Sequence, residues 1–104
     1  MIPYDVKQEC LWIVKGYSRR AKEREQLPQD VQRIKAVEYA LIQVGQDIQD
    51  QDARQRLRNA IVLNCGSGKK YPFERLAVDG FSRRDFYRRK DKFLFSVAKY
   101  MGIA

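Results

Sequence analysis

The residues in this chain with the types and spacing to do chemistry are its cations. The 104 residues include 21 Lys and Arg against 13 Asp and Glu, a net charge of +8. Arg84, Arg88, Lys92 and Lys99 recur at spacings of 4, 4 and 7, which is one face of a helix. Such a row of cations suits a polyanion, and Arg can also pair bidentately with guanine. Arg84 and Arg88 are therefore the candidates for reading base edges. Arg83, Arg89, Lys92, Lys69 and Lys70 are the candidates for phosphate contacts, and Tyr87 stands with them in the candidate interface. Two of these arginines have an alternative use, pairing with Asp85 and Asp91.

Other chemistry is poorly provided for. There is no His and no evident pairing of carboxylates on one face, so general acid–base catalysis has no obvious agent. Cys10 and Cys65 lack the imidazole that would activate a nucleophile, and they form no Cys/His cluster of zinc type. They are expected as buried free thiols, a Cys10–Cys65 disulfide being the alternative. The stretch Gly66-Ser67-Gly68-Lys69-Lys70 invites comparison with a phosphate loop. That loop would need Gly where Leu63 stands and Ser or Thr where Lys70 stands, so the match fails. No catalytic residue, cofactor or metal is expected, and the chain is read as a non-enzyme.

The charge is unevenly spread. Residues 1–27 are net +2, residues 28–65 are neutral, and residues 66–104 are net +6. The excess thus sits with the cationic helix. Composition is that of a folded domain, with 44% hydrophobic and 33% charged residues. No run approaches a membrane span. The opening MIPYDVKQEC lacks the uncharged apolar segment of a secretory signal. The expected location is the cytoplasm, with no membrane partner.

The elements that must position the cations are helical throughout. An all-α single domain over 1–104 is expected, with about five helices: an N-terminal helical hairpin and a third helix in 1–65, then a helix-turn-helix in 66–104. Val6, Cys10, Ile13, Val14, Tyr17 and Ala21 predict a first helix over about 3–25. Trp12 lies off that stripe, and the charged run Ser18 to Glu25 reads as a solvated helix end. Pro28 breaks the chain. Ile34, Val37, Leu41, Val44 and Ile48 then predict a second helix over about 29–48, with a seam that could serve the core or a homodimer. A third helix is expected over about 52–64, with Ile61-Val62-Leu63 as a competing short strand. Pro72 starts a short fourth helix, in which Phe73, Leu76 and Ala77 face inward. Gly80-Phe81-Ser82 turns the chain into a long helix over 83–101. Ser82 is its N-cap, and Asp85 is placed to accept from the N–H of the cap. Phe86, Phe93, Leu94, Val97 and Met101 form its apolar face. Lys90 lies on that stripe, so its stem should pack while its ammonium reaches solvent.

The residues Leu76-Ala77, Gly80, Ser82, Phe86-Tyr87-Arg88-Arg89-Lys90 and Val97-Ala98 resemble the C-terminal helix-turn-helix of small phage-encoded regulators. These are the RinA/ArpU-type transcriptional activators, with a motif similar to region 4 of sigma factors. The opening from Tyr4-Asp5-Val6 through Cys10-Leu11-Trp12 to Gly16-Tyr17 also resembles a recurring start in related phage proteins. The interval from Ala77 to Ser82 is one residue shorter than the usual pattern, which points to a clipped or reoriented first helix of the motif.

The resemblance implies a phage or prophage transcription regulator that places helix 83–101 in double-stranded DNA, with RNA polymerase as a candidate partner. Two other readings compete with it. One is a small terminase-like DNA-packaging subunit that would assemble as a ring. The other is an interaction module whose basic helix meets an acidic protein.

Overall fold

The structure is a computed structural model, and it describes residues 2–23, 25–76, 78 and 80–104. It is all-helical, with no strand among the described residues. In chain order the helices are α1 (Tyr4–Lys15), α2 (Tyr17–Lys22), α3 (Pro28–Gln43), α4 (Gln51–Gly66) and α5 (Arg83–Met101), with a 3-10 turn at Phe73–Arg75. No helix among the described residues is long and apolar enough to cross a membrane.

Helix α5 is the hub. It packs most extensively on α3 and also lies along α1, while α1 packs on α4 and α2 on α3. The first and second predicted helices are thus not a simple hairpin, because α1 spends its apolar stripe mainly on α4 and α5. Phe86, Phe93, Leu94 and Val97 of α5 are buried among Cys10, Ile13 and Val14 of α1, Val37 and Ala40 of α3, and Leu57 and Ile61 of α4. One core therefore draws on both halves of the chain. The competing strand at Ile61-Val62-Leu63 is instead helical, within α4.

The expected first helix over 3–25 is broken in two at Gly16. Packed at the break is Arg20, which the charge pattern placed in a solvated helix end but which is only 2% exposed. Its guanidinium donates to the Ile13 carbonyl at 2.9 Å, near the end of α1, and pairs through Nε with Asp30 at 3.3 Å. A Cβ at position 16 would lie 2.6 Å from Arg20 Nη1. Only the missing side chain of Gly16 admits the guanidinium. Trp12, exposed as its position implied, is covered on its face by Arg20 and Arg33, whose Cζ atoms lie 4.5 and 5.0 Å from the ring centroid.

The second helix also stops early, at Gln43 rather than near 48. Gly45 takes a φ of 75°, which reverses the chain. The carbonyls left without partners at this end are met by two arginines of α4. Arg58 donates to Ile42 and Val44 at 2.9 and 3.0 Å, and Arg54 donates twice to Ile48. Of the seam residues, Ile34, Val37 and Val44 are buried and Leu41 and Ile48 half-buried, all packed on the core or in it, so the seam serves the core. Helix α4 begins on Asp50, whose side chain accepts from Asp52 N, and runs to Gly66, slightly longer than expected. Cys10 and Cys65 are free and buried.

The expected fourth helix from Pro72 is reduced, among the described residues, to the 3-10 turn Phe73–Arg75. Ala77, expected as the small residue at its helix crossing, lies outside the described residues. Phe73 still packs inward, its ring centroid 5.4 Å from that of Phe86.

Candidate nucleic-acid interface

The start of α5 is built as its sequence implies. Gly80 has a φ of 87°, and Ser82 Oγ accepts from Asp85 N at 3.0 Å. The carboxylate of Asp85, however, turns toward the next turn of the helix rather than back to the cap. It accepts from Arg88, and from Arg89 Nε at 3.0 Å. These bonds hold its carboxyl below the usual carboxylate range, with Arg88 the larger cause. Gly102, with a φ of 74°, closes the helix in a left-handed cap.

With the apolar face buried, the opposite face of α5 stands outward. Arg84, Arg88, Lys92 and Lys99 are all exposed. Arg84 and Lys92 have no ion-pair partner among the described residues, and Arg88 is shared only with Asp85. Arg83 pairs with Glu74 at 2.9 Å and lies over the ring of Tyr87, 5.3 Å from its centroid. Tyr87 is half-buried, edge-on to Phe86. Lys69 and Lys70 are exposed on the turn after α4, with Lys70 beside the ring of Tyr71.

Arg89, expected at a phosphate, is turned inward. Its side chain is 16% exposed and forms a two-pronged pair with Asp47 at 2.8 and 2.9 Å, besides its bond to Asp85. It ties the turn after α3 to the start of α5, and Phe81 covers it at 5.3 Å. The bonds from Arg89 bring the Asp47 carboxyl down to about 2. Lys90 also departs from expectation. The residue is half-buried and its ammonium donates to Asn64 Oδ1 at 2.7 Å, while Asn64 Nδ2 donates to the Tyr71 carbonyl at 2.8 Å. Asn64 is 2% exposed, so this chain of bonds fixes the 67–72 turn, and with it Lys69 and Lys70, against α5.

Periodicity did not reveal that α5 is flanked. Beside its cationic face runs a groove lined also by Tyr4 and Lys7 from the start of α1 and by the chain that ends α3. Lys7 pairs across to Asp91 at 3.6 Å. The sequence signal for this was that Tyr4 and Lys7 lie three apart on a helix. The thiols, by contrast, are poorly placed for chemistry. Burial pushes Cys65 up to about 12 and Cys10 up to about 11. Comparison of the chain with protein-family models, curated proteins and solved structures finds no match.

Proposed function

We propose that the protein is a DNA-binding transcription regulator of the phage or prophage type, acting on double-stranded DNA through α5. The observation that carries this reading is the exposed row Arg84, Arg88 and Lys92. Its members stand one turn apart on a helix whose other side is anchored in the core. An anchored helix presents its cations with little further loss of entropy, and a helix about 10–12 Å across fits the major groove. In this reading Arg84 and Arg88 reach base edges, and Lys92, Lys69 and Lys70 meet phosphates. Arg83 exchanges Glu74 for a phosphate. Arg89 acts as an internal strut, already saturated by two carboxylates. A dimer on a two-fold operator would need a surface other than the buried α3 seam.

The test is duplex binding across a salt series. Affinity should fall as salt rises, by roughly 0.9 in log–log slope for each phosphate contacted. Arg84→Ala should cost about 1–3 kcal/mol on a selected site and less on random DNA, and Lys92→Ala should lower the salt slope by about 1. Absence of duplex binding even at low salt would refute the reading.

A further inference from the structure

The groove beside α5 has a volume of about 1420 Å³ and is open to solvent. That exceeds the roughly 300–1,000 Å³ of small-molecule sites, so a chain-like ligand fits it better than a metabolite. Five cationic side chains line it against two carboxylates, Asp47 and Asp91. Both carboxylates are already paired, with Arg89 and Lys7. The uncommitted charge is therefore positive, at Arg84 and Lys92. Two aromatic rings line the same groove and remain exposed, Tyr4 at 77% and Phe95 at 42%. Cations beside exposed rings, Phe95 with Lys99 Nζ 6.0 Å from its centroid, ask for a ligand that is both anionic and flat.

A paired duplex offers phosphates, but its base faces are hidden in the stack, so it would use the cations and leave the rings idle. An acidic peptide would likewise satisfy only the cations. An unpaired nucleotide satisfies both, because every base has a π-face and stacks without regard to sequence. We infer that the groove takes unpaired nucleotides, with the backbone on Lys92, base edges still met by Arg84 and Arg88, and bases stacked on Tyr4 and Phe95. This deepens the DNA-binding reading, and rests on it. The ligand becomes DNA with an opened segment rather than a plain duplex.

The test compares a plain duplex, the same duplex with a short unpaired centre, and an oligothymidylate strand, all at one salt concentration. Wild type, Tyr4→Ala and Phe95→Ala are measured by fluorescence anisotropy. Both side chains are exposed, so thermal melts of the variants should overlay the wild type. The opened duplex and the single strand should bind tighter than the plain duplex. Each variant should then lose roughly fivefold or more on those two probes and be unchanged on the plain duplex. Equal affinity for plain and opened duplex, or variants without that selective loss, would overturn the inference and leave the duplex reading standing. If no DNA binds, both fail together. Displacement of the oligonucleotide by polyglutamate at equal charge would assign the groove to an acidic chain and also overturn it.

Discussion

Arg84 stands exposed with no ion pair among the described residues, whereas Arg20 is 2% exposed and Arg89 is clamped between Asp47 and Asp85. The same side chain thus serves one candidate DNA contact and two internal struts, and the partner decides which. Arg20 is the sharper case, because its guanidinium fills the space that Gly16 leaves. Arg20→Ala should lower stability by about 2–4 kcal/mol, since the Ile13 carbonyl and Asp30 lose a buried partner. Gly16→Ala should cost about 1–3 kcal/mol by displacing the guanidinium. The double variant should then cost less than the two together, because one interaction is removed twice. Urea denaturation of the four proteins measures this, and full additivity would show that the two sites are independent.

Arg89 makes a pH prediction at the same scale. Its bonds hold the folded-state carboxyl of Asp47 below the ordinary value near 3.8, at about 2, and Arg88 and then Arg89 hold that of Asp85 below it. A depressed carboxylate adds stability that is full above the unfolded pKa and is lost as pH falls through the folded one. The melting temperature of the wild type should therefore drop between about pH 4 and 2, and Asp47→Asn should drop less steeply over that window. Melts at half-unit pH intervals decide the matter, and parallel curves would exclude Asp47 from the acid response.

At the scale of elements, α5 was the most legible and the fourth predicted helix the least. Helix α5 carries every local signal at once: Gly80 at positive φ, Ser82 as cap, an apolar face at helical spacing and Gly102 at the end. Ser82→Ala should therefore cost about 1 kcal/mol, seen as a lower urea midpoint with an unchanged slope. A change below a few tenths would mean that the cap bond contributes little. The break at Gly16 and the stop at Gln43 were hidden for a different reason. At both, arginines reach back onto helix-end carbonyls, Arg20 onto Ile13 and Arg58 onto Ile42 and Val44, and at the second the chain reverses at Gly45. Apolar periodicity runs through both points, and it records which face is buried rather than where the backbone turns. The expected fourth helix is, among the described residues, only the 3-10 turn Phe73–Arg75.

At the scale of the molecule, one core joins α1, α3, α4 and α5, and both thiols sit inside it. Burial raises each of them well above neutrality. Neither Cys10 nor Cys65 should react with a disulfide reagent in the native state, and both should react once urea unfolds the protein. Rapid labelling of either thiol under native conditions would show that α1 opens from α4 without global unfolding.

The sequence by itself determined that the chain is helical, which faces of α3 and α5 are buried, and that α5 carries an outward row of cations. These are local properties, set by a repeat of 3.6 residues and by capping residues adjacent in the chain. Only the tertiary structure decided which cations remain open. Asp47 and Arg89 are 42 residues apart, and Asn64 and Lys90 are 26 apart. The groove likewise joins Tyr4 and Lys7 to residues some eighty positions later. Pairing across such distances follows from how helices dock, and no periodic pattern along the chain encodes it.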